Sequence, residues 1–151
     1  INLGRWGEAN GILKSLSERK NLQRAEEIAR IKTAIVDGKT MSGAEYDGYG
    51  PNRTLARMYY KLPGMFGGDN EKAEKLLREA IQKQSPDFLN ALNVVYLAEV
   101  LVSNGKKDEA KKILDDLIQY EGSPEKYNAK RAPETADEIA DAKTLRKSLG
   151  N

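Results

Sequence analysis

Glu71-Lys-Ala-Glu-Lys-Leu-Leu-Arg-Glu-Ala-Ile81 aligns without gaps on Asp108-Glu-Ala-Lys-Lys-Ile-Leu-Asp-Asp-Leu-Ile118, at an offset of 37 residues. The apolar positions of the first phrase are Ala73, Leu76, Leu77, Ala80 and Ile81; those of the second are Ala110, Ile113, Leu114, Leu117 and Ile118. Both sets follow i, i+3, i+4, i+7, i+8, the pattern of one helical face. A glycine turn precedes each phrase, Gly67-Gly68-Asp69 and Asn104-Gly105-Lys106. Repetition at this period predicts helical hairpins stacked side by side.

Working outward, the same periodicity predicts an all-α, single-domain chain over residues 1–151. Hairpins are expected at about 1–36, 52–85 and 88–120. A helix at about 134–149 caps the stack, with Ala136, Ile139, Ala140, Ala142, Lys143 and Leu149 available to cover its open end. Leu3, Trp6, Ala9, Ile12, Leu13 and Leu16 share one face of the first helix. Pro51 suits a first helical turn, and Pro63-Gly64 ends the helix that begins near Thr54. Asp87 is read as the cap of a helix over Phe88–Ser103, whose apolar residues run almost all round it and place it in the core. Met65 and Phe66, in the loop before Asp69, are expected to tuck into that core.

The whole-chain numbers exclude several chemistries. Among 151 residues there is no Cys and no His, which removes thiolates, disulfides, the commonest transition-metal ligands and the usual neutral-pH base. The net charge of +2 comes from 25 basic and 23 acidic residues, well mixed along the chain, so nucleic acid is not an expected partner. No apolar run approaches the ~20 residues of a membrane span. Asp47, Asp69 and Glu45 lack the spacing of a calcium loop. No nucleophile elbow, phosphate loop or paired-acid motif occurs, so no enzyme activity, metal or cofactor is expected. A hydrolase acting through Glu or Asp is the remaining catalytic option.

Two patterns carry family information. Val94, Leu97, Ala98, Leu101, Ala110, Leu114, Leu117 and Pro124 follow the tetratricopeptide spacing, as do Asn52, Leu55, Ala56, Tyr59, Ala73, Leu77, Ala80 and Pro86. Small residues at Ala56, Ala98, Ala73 and Ala110 allow paired helices to approach closely. The first repeat departs from the pattern by five extra residues in the loop Pro63–Gly68. Asn2-Leu-Gly-Arg-Trp6, Gly48-Tyr-Gly-Pro-Asn-Arg53, Pro63 with Gly67-Gly68-Asp69, and Pro133-Glu134 followed by Ala140 and Lys143 also occur in that order. In these short motifs the chain resembles the TatT family, the T component of tripartite ATP-independent periplasmic (TRAP) transporters. The resemblance implies an exported, envelope-located lipoprotein scaffold that pairs with the substrate-binding subunit. Its membrane attachment would be a lipid anchor upstream of Ile1. Ile139 departs from the polar Asn expected there in that family.

The candidate site follows from the concave side of such a stack, lined by the first helix of each hairpin. Taking Ala56 and Ala98 as equivalent, the inward positions are Arg53, Arg57 and Tyr60 in one repeat and Val95, Glu99 and Val102 in the next. Arg53 and Arg57 are four apart, share a helix face and could grip a carboxylate or phosphate. Alternatively they pair with Glu99 or with acids of neighbouring helices. Tyr46, Tyr49, Tyr59 and Tyr60 could line a pocket; Tyr49, in a glycine-rich loop, is the strongest contact candidate among them. Asn90 and Asn93 on the apolar helix must find partners, by bracing the adjacent hairpin or by facing the groove. The expected function is non-catalytic binding of a partner protein, together with a small acidic or hydrophobic ligand; the alternative is an assembly module that takes a peptide in its groove.

Overall fold

The computed structural model describes residues 48–150. Among them there are five α-helices and no strand: α1 (Gly50–Lys61), α2 (Asn70–Lys83), α3 (Ala91–Ser103), α4 (Lys107–Ile118) and α5 (Ala132–Ser148). The expected first hairpin, with Trp6, and the Tyr46 candidate lie outside the described residues.

The two matched phrases form α2 and α4, and they bury matching positions. Ala73, Leu77 and Ala80 are buried in one; Ala110, Leu114 and Leu117 are buried in the other. Leu76 and Ile81, like Ile113 and Ile118, are half-buried against the same core. Each helix packs on its predecessor as an antiparallel hairpin, α1 with α2 and α3 with α4. The four alanines at the hairpin crossings, Ala56, Ala73, Ala98 and Ala110, are all fully buried. A larger side chain there would push the helices apart.

The layering follows from which helices touch. α3 packs against α1, α2, α4 and α5, whereas α2 and α4 make no more than marginal contact with each other. Thus α1, α3 and α5 form an inner layer, and α2 and α4 an outer one. The composition of α3 explains its central place. Ala91, Val95, Leu97, Ala98, Val100 and Leu101 are all buried, on more than one side of the helix.

Three expectations are corrected here. Met65 and Phe66 do not tuck in; they are 84% and 43% exposed, on a 3₁₀ turn spanning Gly64–Phe66. That turn is closed by its own backbone, with Phe66 N and Gly68 N both donating to Pro63 O and Asp69 N to Tyr59 O. No freedom remains to fold the two side chains inward. Asp87 does not cap α3. Pro86–Phe88 makes a separate 3₁₀ turn, and the cap is Asn90, whose side chain accepts from Leu92 N at 3.1 Å. The face of α5 is also rotated from the expected one. Ile139 and Ala142 are buried as foreseen, but Thr135 and Glu138 join them, while Ala136, Ala140 and Lys143 are exposed.

The polar link before α5 is more ordered than its composition suggests. Asn128 accepts from Lys130 N at 3.0 Å and donates to Leu89 O at 2.6 Å, tying the link to the start of α3. Tyr127 packs edge-on against Tyr120, with ring centroids 5.3 Å apart. Burial, with smaller contributions from Glu138 and Tyr120, pushes the Tyr127 phenol up to about 12.

α2 is pinned to the α3–α4 turn by Glu74, which is 7% exposed. It accepts from Lys106 Nζ at 2.7 Å, Asn104 Nδ2 at 2.7 Å and Arg78 Nε at 2.9 Å. Desolvation pushes its pKa upward, but those donors outweigh it and hold the carboxyl at about 2, against an ordinary 4.5. A depressed folded-state pKa stabilises the fold above the unfolded value, and that contribution is lost as pH falls through the folded value. The window is therefore pH 4.5 down to 2; because Arg78 and Lys106 are 42% and 48% exposed, solvent screening leaves a loss on the order of 1–2 kcal/mol at its acid end. Urea melts of the wild type and Glu74→Gln from pH 6 to pH 2.5 check this. The wild type should lose stability more steeply than the variant; parallel curves would contradict it.

Candidate functional site

The site is built where α1 crosses α3 on the inner layer. α1 begins with Tyr49 at φ 62° and ψ 40°, a left-handed conformation that costs a residue with a β-carbon roughly 1–2 kcal/mol. The peptide before it is held in place: Asn93 Nδ2 donates to Gly48 O at 2.7 Å. Gly48 lies so close to the α2–α3 loop that a Cβ would come within 2.7 Å of Phe88 O. The entry into α1 is therefore fixed by its contact with α3, and Arg53, Arg57 and Tyr60 follow at helical spacing.

Arg53 and Arg57 share a face but part company in their partners. Arg53 is 9% exposed, and its Nη1 donates to Asn93 Oδ1 at 3.1 Å. Asn93 is fully buried and also donates to Gln84 Oε1 at 3.1 Å, and Gln84 accepts in turn from Asn90 N at 3.1 Å. This network clamps the start of α1, the end of α2 and the start of α3. The bracing role considered for Asn93 is what the structure shows, while Asn90 uses its side-chain oxygen on the helix cap. Arg53 thus acts within the clamp, and no fork is shared with Arg57.

Arg57 keeps its guanidinium partly exposed, and the exposed Lys61 places its Nζ 4.9 Å from the centroid of the Tyr60 ring beside it. Arg57 Nη1 donates to Glu99 Oε2 across the α1–α3 crossing, and the two side chains are 20% and 27% exposed. The guanidinium carbon sits 4.2 Å from the Tyr96 ring centroid and 5.5 Å from that of Tyr60. Both distances lie within cation–π range. Ser103 Oγ lies 3.3 Å from Tyr60 Oη, which fixes the far side of that ring. The sequence candidates Arg57, Tyr60 and Glu99 are therefore brought together. Tyr49, 9% exposed, is placed at the buried entry of α1, away from the open aromatic surface.

Tyr96 is the member that sequence reasoning missed. Val95 was expected to face inward in its place, but Val95 is buried in the core. The available signal was its spacing: Tyr96 stands three residues before Glu99, and so shares the face of a residue already placed in the groove.

A second concavity lies elsewhere. An open cleft of about 920 Å³ runs along the outer face of α2, with Glu74, Arg78, Asn104 and Lys106 in its wall. Several of its charged groups pair with one another: Arg78 with Glu109 at 2.7 Å and with Glu74 at 2.9 Å, Lys106 with Glu74, and Lys83 with Glu79. The Glu74 network ties α2 to the α3–α4 turn, a structural role, whereas the inner-layer cluster joins a cation to aromatic surface. Among the described residues no group of His, Cys, Asp and Glu is placed to hold a metal ion. No helix among them is long and apolar enough to cross a membrane.

Comparison with known proteins agrees with the stacked-hairpin fold. Residues 67–132 match the tetratricopeptide repeat family. No curated protein and no solved structure gave a significant match. The match covers α2, α3 and α4, the segment that contains both matched phrases.

Proposed function

We propose that this tetratricopeptide-type chain is a non-catalytic docking scaffold whose inner helix layer receives an acidic segment of a partner protein at Arg57. The observation that carries the reading is the state of that guanidinium. It is held over Tyr96, remains partly exposed, and already donates to a carboxylate, that of Glu99. Repeat scaffolds of this class typically bind proteins, and the cluster adds the chemistry: a charge-assisted hydrogen bond to an acid, with aromatic surface beside it. The cluster is an open surface, which suits an extended segment better than an enclosed small ligand.

The finer reading places the protein in the bacterial envelope, with the substrate-binding subunit of a TRAP-type transporter as partner. It rests on the motif resemblance, from Asn2–Trp6 through Gly48–Arg53 to Pro133–Lys143. The general alternative, an assembly module for unrelated peptides, is supported by the tetratricopeptide match. Titrating the protein against the purified substrate-binding subunit from the same genome separates the two. Specific binding supports the transporter reading, and its absence removes that partner.

Arg57→Ala is expected to weaken partner binding by tenfold or more, roughly the effect of losing one well-placed interface arginine. Arg53→Ala should act mainly by lowering stability, because its guanidinium belongs to the clamp. Calorimetric titration of both variants, with thermal melts alongside, checks the assignment. Full affinity in Arg57→Ala would remove the site.

A further inference from the structure

The pairing of Arg57 with Glu99 has a consequence for how the site is controlled. Acceptors reach a guanidinium through its in-plane N–H groups, whereas rings lie against its face. Here the cation is seated over Tyr96, at 4.2 Å, with Tyr60 near by, and Glu99 Oε2 occupies the Nη1 edge. The rings fix the position of the cation without Glu99. An incoming carboxylate would therefore find Arg57 in place, but with an acid already on its edge.

The geometry points to Glu99 as a built-in mimic of the ligand's acid, which masks Arg57 until a partner carboxylate displaces it. This rests on the reading of Arg57 as the docking cation. Displacement is chemically balanced: one carboxylate leaves the guanidinium as another arrives, and no proton moves. The cost to Glu99 is small, because its side chain is 27% exposed and can turn to water. An ion pair whose two side chains both reach solvent is weak enough to be exchanged for water or for another carboxylate. By contrast the Arg53–Asn93 contact is buried and tied into a three-element clamp, so it is not an exchangeable one. Masking also gives selectivity. A lone weak acid cannot outcompete a tethered carboxylate, whereas a segment that adds contacts along Tyr60 and Tyr96 can.

The test uses the full chain and a fluorescein-labelled tetraglutamate peptide, with a tetralysine peptide as control, at fixed ionic strength. Binding is compared by anisotropy for wild type, Glu99→Gln, Glu99→Ala, Arg57→Ala and the double variant Arg57→Ala/Glu99→Gln. Melting curves for each variant confirm folding, and the two Glu99 variants guard against failure of either. Unmasking predicts that both Glu99 variants bind tetraglutamate at least about threefold more tightly than wild type. The double variant should lose that gain. If the Glu99 variants bind no more tightly than wild type while Arg57→Ala binds more weakly, masking is wrong and the docking site stands. Should Arg57→Ala leave binding unchanged relative to its parent, both in wild type and in Glu99→Gln, Arg57 is not the docking cation and both readings fall. A gain that survives in the double variant reflects net charge alone and also overturns masking.

Discussion

Gly68→Ala is expected to be the most damaging single-methyl change in the described residues, costing on the order of 3 kcal/mol or more. The reason is space. A Cβ built on Gly68 would lie 1.8 Å from Leu62 O, 2.6 Å from Leu62 C and 3.0 Å from Pro63 C, all backbone atoms. A flexible side chain could step aside; a backbone closed by several hydrogen bonds cannot. Gly68 N donates to Pro63 O, and the next residue, Asp69, bonds to Tyr59 O and caps α2 by accepting from Lys72 N at 2.9 Å. Relieving the clash therefore moves the α2 cap away from the end of α1. Gly64, in the same loop, has nothing within 4 Å of its Cβ position and serves as the control. Chemical denaturation of the two alanine variants should separate them by several kcal/mol. Equal midpoints would show that the loop can relax, and that the five extra residues of this repeat are not tightly specified.

Asn93→Leu is the second large effect, expected at about 3 kcal/mol despite the similar volume and greater apolarity of leucine. Asn93 is fully buried and serves three partners on three segments. Leucine removes the donor to Gly48 O and Gln84 Oε1 and the acceptor for Arg53 Nη1. Buried polar groups that lose partners cost far more than a single hydrogen bond contributes. Transfer free energy alone would favour leucine at a site with no exposed surface, so the sign of the result decides between the two effects. A stabilised variant would mean that the clamp is idle. The expected destabilisation should come with weaker binding at Arg57, since the clamp fixes the entry of α1 and hence the register of its side chains.

The hairpin pairing was legible because it is written locally. Ala73, Leu77 and Ala80 and their counterparts Ala110, Leu114 and Leu117 lie on one stripe each, and a stripe is a property of a single helix. Where the stripe is blurred, sequence reading slipped. α3 is apolar on nearly every side, so its rotation could not be read, and Tyr96 was passed over for Val95. α5 mixes small, apolar and charged residues all round, which concealed the burial of Thr135 and Glu138. The loop at Met65–Phe66 has no period at all, and its backbone hydrogen bonds, not its apolarity, set where those side chains point.

The amino-acid order by itself determined that this region is helical, paired and built on repetition, because a 3.6-residue period and a glycine or proline stop act over a few residues. Only the packed tertiary structure decided that Arg57 meets Glu99 and Tyr96 while Arg53 turns to Asn93. Those partners lie 39 to 42 positions apart along the chain, and their meeting depends on how far one helix is rotated and slid against another. That offset is set jointly by every side chain at the crossing, and no single stripe encodes it.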